Sequence, residues 1–328
     1  ENSCKLGRES TEKNLNLNSD NFYRKIAYKQ IDLILCMKSR NEIDALVSLL
    51  DDPDEIIFNQ IKSQLLELGT DCIAHLEKAN FENEYGPIFK SRISEITHEI
   101  SLSKILKEHK EWIHHPVNLI DGVNQIDQYF FPNITESYIQ NELSTIASEI
   151  SEHLSLSMSP IEKVSVINDI LYDNYNFRGD KKNYHSPENS SFGKLLQTKK
   201  GNPLTNSILY IEIGRLLNLP IMGVNLPNHF IVGYLNSKEN HQYPNNYKFT
   251  KKDVKFYINP FSQGVVLKHE DVQDFIQEIN VINNEYYYIP CPYSHITKRI
   301  LTNLNFSHKK SDNILLKSDI KKIIALYH

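Results

Sequence analysis

The sequence predicts an α+β protein in which a helical first half gives way, near residue 218, to short strands and then to terminal helices. Three observations carry this. Apolar residues recur at helical spacing through most of 41–217. After 218, ProIleMetGlyValAsnLeuPro (220–227), HisPheIleValGlyTyrLeu (229–235) and ValLysPheTyrIleAsnPro (254–260) are short, β-rich runs bounded by Pro, Asn and Gly. Beyond 269 the helical period returns, with Ile296, Ile300, Leu301 and Leu304 on one face.

Taken in order, residues 1–40 read as a polar tail with a helical extension, and 22–38 carry an untidy apolar stripe. Residues 41–112 read as a helical region. Its second helix is expected to start with Asp52 as N-cap, Pro53 at N1 and Glu55 at N3. That helix carries Ile56, Ile57, Ile61, Leu65 and Leu68 and ends at Gly69. A third helix follows over about 71–78, and the unit resembles one HEAT repeat, with a plain helical hairpin as the alternative. A long helix over 85–112 uses Ile88, Ile93, Ile96, Ile100, Ile105 and Leu106, and stops at HisHisPro. His114 and His115 have no third ligand and read as loop residues. Helices follow over 117–130 and 135–153, and another starts at Ser159 with Pro160 at N1 and Glu162 at N3. A polar loop spans 176–191, and helix returns from 192 to 199–201. The next helix is expected to start with Asn202 as N-cap and Pro203 at N1, and to bury Leu209, Ile213, Leu216 and Leu217. At least three antiparallel strands come next, then helix over 269–280. TyrTyrTyrIleProCysPro (286–292) reads as loop or edge strand, and 291–328 as C-terminal helices.

Composition narrows the function. A chain of 328 residues allows two or three domains at roughly 100–200 residues each. The net charge of -5, with 36 basic and 41 acidic residues, lacks the basic surplus of a nucleic-acid or anionic-membrane binder. No apolar run approaches the ~18 residues of a membrane span. The first residues lack an apolar signal core, so the chain is expected to be cytoplasmic or already trimmed of a leader. Four cysteines without a CxxC pair predict neither a disulfide framework nor a zinc site, and no cofactor or metal is expected.

The richest stretch is 199–234, which opens a helix at Asn202–Pro203 and delivers His229 on a strand; the next strand ends at Asn259. A nucleophile at a helix N-terminus, a His on a following strand and an Asp or Asn on the next form the frame of papain-like chemistry. The helix end lowers the thiol pKa, the imidazole moves the proton, and the third residue fixes the tautomer.

AsnTyrHisSerProGluAsnSer (183–190), GlyAsnProLeuThr (201–205), GlyValAsnLeuProAsnHisPhe (223–230) and IleAsnProPhe…Gly (258–264) together resemble the transglutaminase-like core family. More narrowly, they resemble the bacterial SirB-one proteins. The resemblance covers about 115–305 and implies a transglutaminase-like (papain-like) core over 115–290. It implies that Gly201 matches the family's Gly, His229 its catalytic His, and Asn259 the usual Asp. The cysteine position falls on Pro203. Removing a triad nucleophile costs roughly 10⁶ in kcat, and proline offers neither nucleophile nor N–H.

Thr205, two residues on, is a substitute nucleophile or a first-turn cap. Cys291 is a second possible nucleophile, in a loop stiffened by two prolines, and Cys36 and Cys72 read as core. His229 has a bland reading as a histidine bonding across strands. The resemblance also places Tyr184, His185, Asn189, Gly201, Asn202, Asn225 and Asn228 at a binding cleft, though loop capping would equally explain Asn189 and its neighbours. The expected function is a non-catalytic module for an unidentified protein or peptide, a pseudoenzyme. The alternatives are a hydrolase or acyltransferase using Thr205, His229 and Asn259, and a regulatory protein whose helices do the work.

Overall fold

The computed structural model describes residues 42–82, 86–236, 248–309 and 312–328. The expected tail and helix of residues 1–40, with Cys4 and Cys36, lie outside them. The chain divides into two compact units, one to Lys104 and one from Ile105.

In the first unit, a helix over 42–48 (α1) runs into a 3₁₀ turn, Leu49–Asp51. Helices α2 (Glu55–Leu68), α3 (Ile73–Glu82) and the first part of α4 (Pro87–His114) follow. The N-cap of α2 is Asp54, not Asp52. The Asp52 carboxylate accepts the Asp54 N–H at 2.8 Å, a turn over Pro53 that delays the helix, and Asp54 then caps Ile56 N–H at 2.7 Å. Gly69 closes α2 at φ +62, and a 3₁₀ turn, Gly69–Cys72, precedes α3. The expected core positions Ile56 and Ile88 are 70% and 64% exposed, and their neighbours Phe58 and Phe89 are buried instead. Arg92 donates to the Leu50 carbonyl at 2.9 Å, pairs with Glu55 at 2.8 Å and lies 4.3 Å above the Phe58 ring. It thereby ties α4 to the start of α2.

The second unit holds α5 (Leu119–Phe130), α6 (Glu136–His153), α7 (Pro160–Asn168), α8 (Phe192–Thr198) and α9 (Pro203–Leu216). The expected Ser159/Glu162 capping box is present. After α7 the chain makes one π turn, Asp169–Asn174. A short parallel pairing absent from the sequence reading joins β1 (Arg178–Gly179) to β2 (Lys200–Gly201). Helix α8 stops at Thr198 because Lys199 adopts φ 59.

A four-stranded antiparallel sheet runs in the order β3 (Ile221–Leu226), β4 (His229–Leu235), β5 (Val254–Asn259) and β6 (Val265–Leu267). Helix α9 is buried from Pro203 to Gly214, so it is an internal helix against the sheet rather than the one-sided helix its leucines suggest. Leu216, expected in the core, is 39% exposed. Helix α10 (His269–Glu278) contributes Val272 and Ile276 to a cluster with Met222, Val224, Leu226, Ile231 and Tyr257. Residues 286–292 form no strand; a 3₁₀ turn, Glu285–Tyr287, leads to Cys291, whose N–H donates to the Gly223 carbonyl at 2.9 Å. Helices α11 (Tyr293–Ser307) and α12 (Ile314–Ile324) complete the unit. Among the described residues no helix is long and apolar enough to cross a membrane, and no three His, Cys, Asp or Glu side chains form a metal cluster.

Candidate functional site

The start of α9 is chemically closed. Asn202 Oδ1 accepts the N–H groups of Leu204 at 2.9 Å and Thr205 at 3.0 Å. Asn206 N–H goes to the Asn202 carbonyl at 3.2 Å, and Pro203 has no N–H. Each amide that a helix start would offer an anion is therefore taken or missing. Thr205 Oγ1 accepts the Asn202 N–H at 3.1 Å and donates to the Asn189 carbonyl at 3.0 Å, completing a capping box. A Cβ on Gly201 would lie 2.4 Å from Thr205 Oγ1, so only glycine fits this corner. Asn189 Nδ2 donates to the Asn183 carbonyl at 2.7 Å, and Asn202 Nδ2 to Ser190 Oγ at 3.3 Å. These bonds bind the 183–190 loop to the helix start.

The β3–β4 hairpin sets the second wall. Its two-residue turn pairs Pro227 with Asn228 at φ 58, the left-handed position asparagine tolerates. His229 is the first residue of β4, and Asn259 the last of β5. His229 Nε2 lies 3.3 Å from Asn259 Oδ1, so Nε2 carries the proton and donates. Nδ1 is left as the acceptor, with no protein partner among the described residues. Burial lowers the imidazole pKa, Asn259 opposes the shift and the Arg299 charge adds to it, so the ring is neutral at pH 7. The rings of Phe275 and Phe261 stand 5.9 and 6.2 Å away.

Between these walls lies a cleft of roughly 660 Å³. Of the residues expected there, Tyr184, His185, Asn202, Pro203, Asn228 and His229 line it. The others stand behind the lining. Asn259 orients His229; Asn189, Gly201 and Thr205 build the α9 corner; Asn225 Oδ1 accepts Nη1 of Arg299 at 3.0 Å. Thr205 does not meet His229: its hydroxyl is fully buried and committed to Asn189 and Asn202. Cys291 is buried off the lining, and burial pushes its thiol up to about 12, making it inert at neutral pH. Among the described residues no serine, threonine or cysteine hydrogen-bonds His229.

The sequence reading missed the third wall, the face of α11 that carries Arg299, Thr302, Asn303 and Phe306. The i, i+3, i+4, i+7 spacing was the available signal. It lies beside the buried stripe of Ile296, Ile300 and Leu304, which packs as core.

A family model described as the transglutaminase-like superfamily matches residues 137–302, which hold the first two walls and, of the third, Arg299 and Thr302. A UPF0162 protein of Xylella fastidiosa is 23% identical over 192 residues, 55% of this chain and 59% of that protein. F-box only protein 21 of Mus musculus is 26% identical over 185 residues, 49% of this chain and 30% of that protein. A UPF0162 protein of Vibrio cholerae is 22% identical over 153 residues, covering 47% and 52%. The chain thus spans less than two thirds of each of these relatives. No solved structure matches.

Proposed function

The chain belongs to the transglutaminase-like superfamily, and from that premise we propose that its cleft binds a peptide or protein segment without cleaving or acylating it. The closed start of α9 carries this reading. Pro203 stands where the superfamily frame calls for a thiol, and the neighbouring amides are consumed by Asn202. Neither a nucleophile nor an oxyanion donor is on offer at the place the frame requires. What remains of the frame is a neutral histidine whose free Nδ1 accepts a hydrogen bond, such as a backbone N–H of an extended segment. Proline, leucine and phenylalanine in the lining give that segment apolar contact, while asparagines and serines give it polar contact.

A hydrolase or acyltransferase built on Thr205 would have to break the α9 capping box before its hydroxyl could turn to His229. The narrower kinship with SirB-one proteins, a cytoplasmic place and a HEAT-like role for α1–α4 as a second contact surface belong to the same proposal. A pool of random tetrapeptides tests it. Cleft resonances, His229 foremost, should shift saturably, and mass spectrometry should recover every peptide intact. Peptides cut or acylated in a His229-dependent way would overturn the reading.

A further inference from the structure

Arg299 is the cation of the cleft lining, which contains no Asp or Glu. It rises from α11 and is partly buried. Nη1 is held by two acceptors, Asn225 Oδ1 at 3.0 Å and the Leu226 carbonyl at 3.4 Å. Nε and Nη2 have no hydrogen-bond partner, and Arg299 pairs with no carboxylate among the described residues. A guanidinium fixed by one end presents its other edge as two parallel N–H donors. A half-buried guanidinium that keeps one edge open to the cleft, with no counter-charge beside it, favours an anion there.

The geometry points to a ligand carboxylate seated on the Nε–Nη2 edge of Arg299, making this side chain the anchor of the peptide cleft. The inference rests on the reading of the cleft as a peptide site and names its ligand class. A carboxylate fits better than a phosphate for reasons of donor supply. Two parallel donors match two carboxylate oxygens. A phosphate's third oxygen and second charge would need a lysine, a second arginine or free helix-start amides, and the lining supplies none of these. At the mouth, Tyr184 and His185 lie 5.1 Å apart, and His185 and Phe306 are also 5.1 Å apart. This aromatic rim would flank the side chain next to the anchored group.

The test uses three tetrapeptide pools: free C-termini without Asp or Glu, amidated C-termini with one Asp or Glu, and amidated C-termini without either. Binding is read from the Arg299 Nε–H and His229 imidazole resonances of the whole chain. At least one carboxylate pool should bind about ten- to a hundredfold more tightly than the third, the usual worth of a charge-assisted bond. The pool that does so identifies a terminal or a side-chain carboxylate. Acetate should compete more strongly than inorganic phosphate at equal concentration. Arg299→Gln should abolish the preference, and Arg299→Lys should keep only part of it. If these variants lose their fold, the comparison among pools on the unaltered protein still decides.

Equal binding of all three pools without movement of Arg299 Nε–H would overturn the carboxylate anchor and leave the peptide cleft standing. Stronger competition by phosphate would overturn the ligand class. Silence of every cleft resonance with all three pools would overturn the peptide cleft itself.

Discussion

Restoring a thiol at Pro203 should create a cysteine that senses His229. Pro203→Cys removes an N1 proline, whose φ restriction is worth about 0.4–1 kcal/mol, so the fold should hold. The new residue would sit at the start of a 14-residue helix and on the same cleft as His229. Favourable charge–helix interactions of about 0.3–1 kcal/mol, rising to ~2 when partly buried, correspond to roughly 0.2–1.5 pKa units. A fall of about one unit from the ordinary 8.5 raises the thiolate fraction at pH 7 roughly eightfold. The lower intrinsic nucleophilicity returns part of that, leaving alkylation about threefold faster. Iodoacetamide alkylation followed by peptide mapping across pH 5–10 reads the introduced thiol apart from the native ones. Its inflection should lie below 8.5 and move up when His229→Ala is added. An inflection at or above 8.5, indifferent to His229→Ala, would refute the placement of residue 203 opposite the imidazole.

Three further outcomes follow from single contacts. Thr205→Val removes the hydroxyl that serves Asn202 N–H and the Asn189 carbonyl; those two groups lie 3.4 Å apart and partly satisfy each other, so urea unfolding should show a loss of about 1–3 kcal/mol. Gly264 sits at φ +71 with a would-be Cβ 1.9 Å from Asn168 Oδ1, so Gly264→Ala should cost about 2 kcal/mol or more and lower the Tm by roughly 4–8 °C in calorimetry. NMR titration should place His229 below the usual histidine range, and Asn259→Ala should lower it further by removing the bond that opposes the shift. Because the unfolded chain then binds the proton more readily than the folded one, the His229 contribution to stability is present above its unfolded pKa of about 6.5 and lost as pH falls below it.

Much of this architecture was legible as local chemistry. The Ser159/Glu162 box, Asn202–Pro203 at the head of α9 and Gly69 at the end of α2 each encode their turn in neighbouring residues. The His229–Asn259 pair was legible through the family resemblance, and the antiparallel pairing of β4 with β5 brings the two strand ends together. What escaped was set by packing between distant segments. Whether Ile56 or Phe58 faces inward depends on what α4 brings to α2. Helix α9 is buried from Pro203 to Gly214, polar Thr205, Asn206 and Glu212 included, which its own apolar spacing does not encode. The β1–β2 pairing joins two-residue strands with no apolar pattern of their own. Nothing next to Arg299 in sequence marks it, because its partner Asn225 comes from the distant β3 strand.

The central claim, that this superfamily cleft binds without reacting, meets its most direct test in labelling with an activated acyl ester, comparing the unaltered protein with His229→Ala and locating any adduct by mass spectrometry. The closed helix start predicts no adduct at any cleft residue and no difference between the two proteins. A stoichiometric adduct on a cleft residue that disappears with His229→Ala would contradict it.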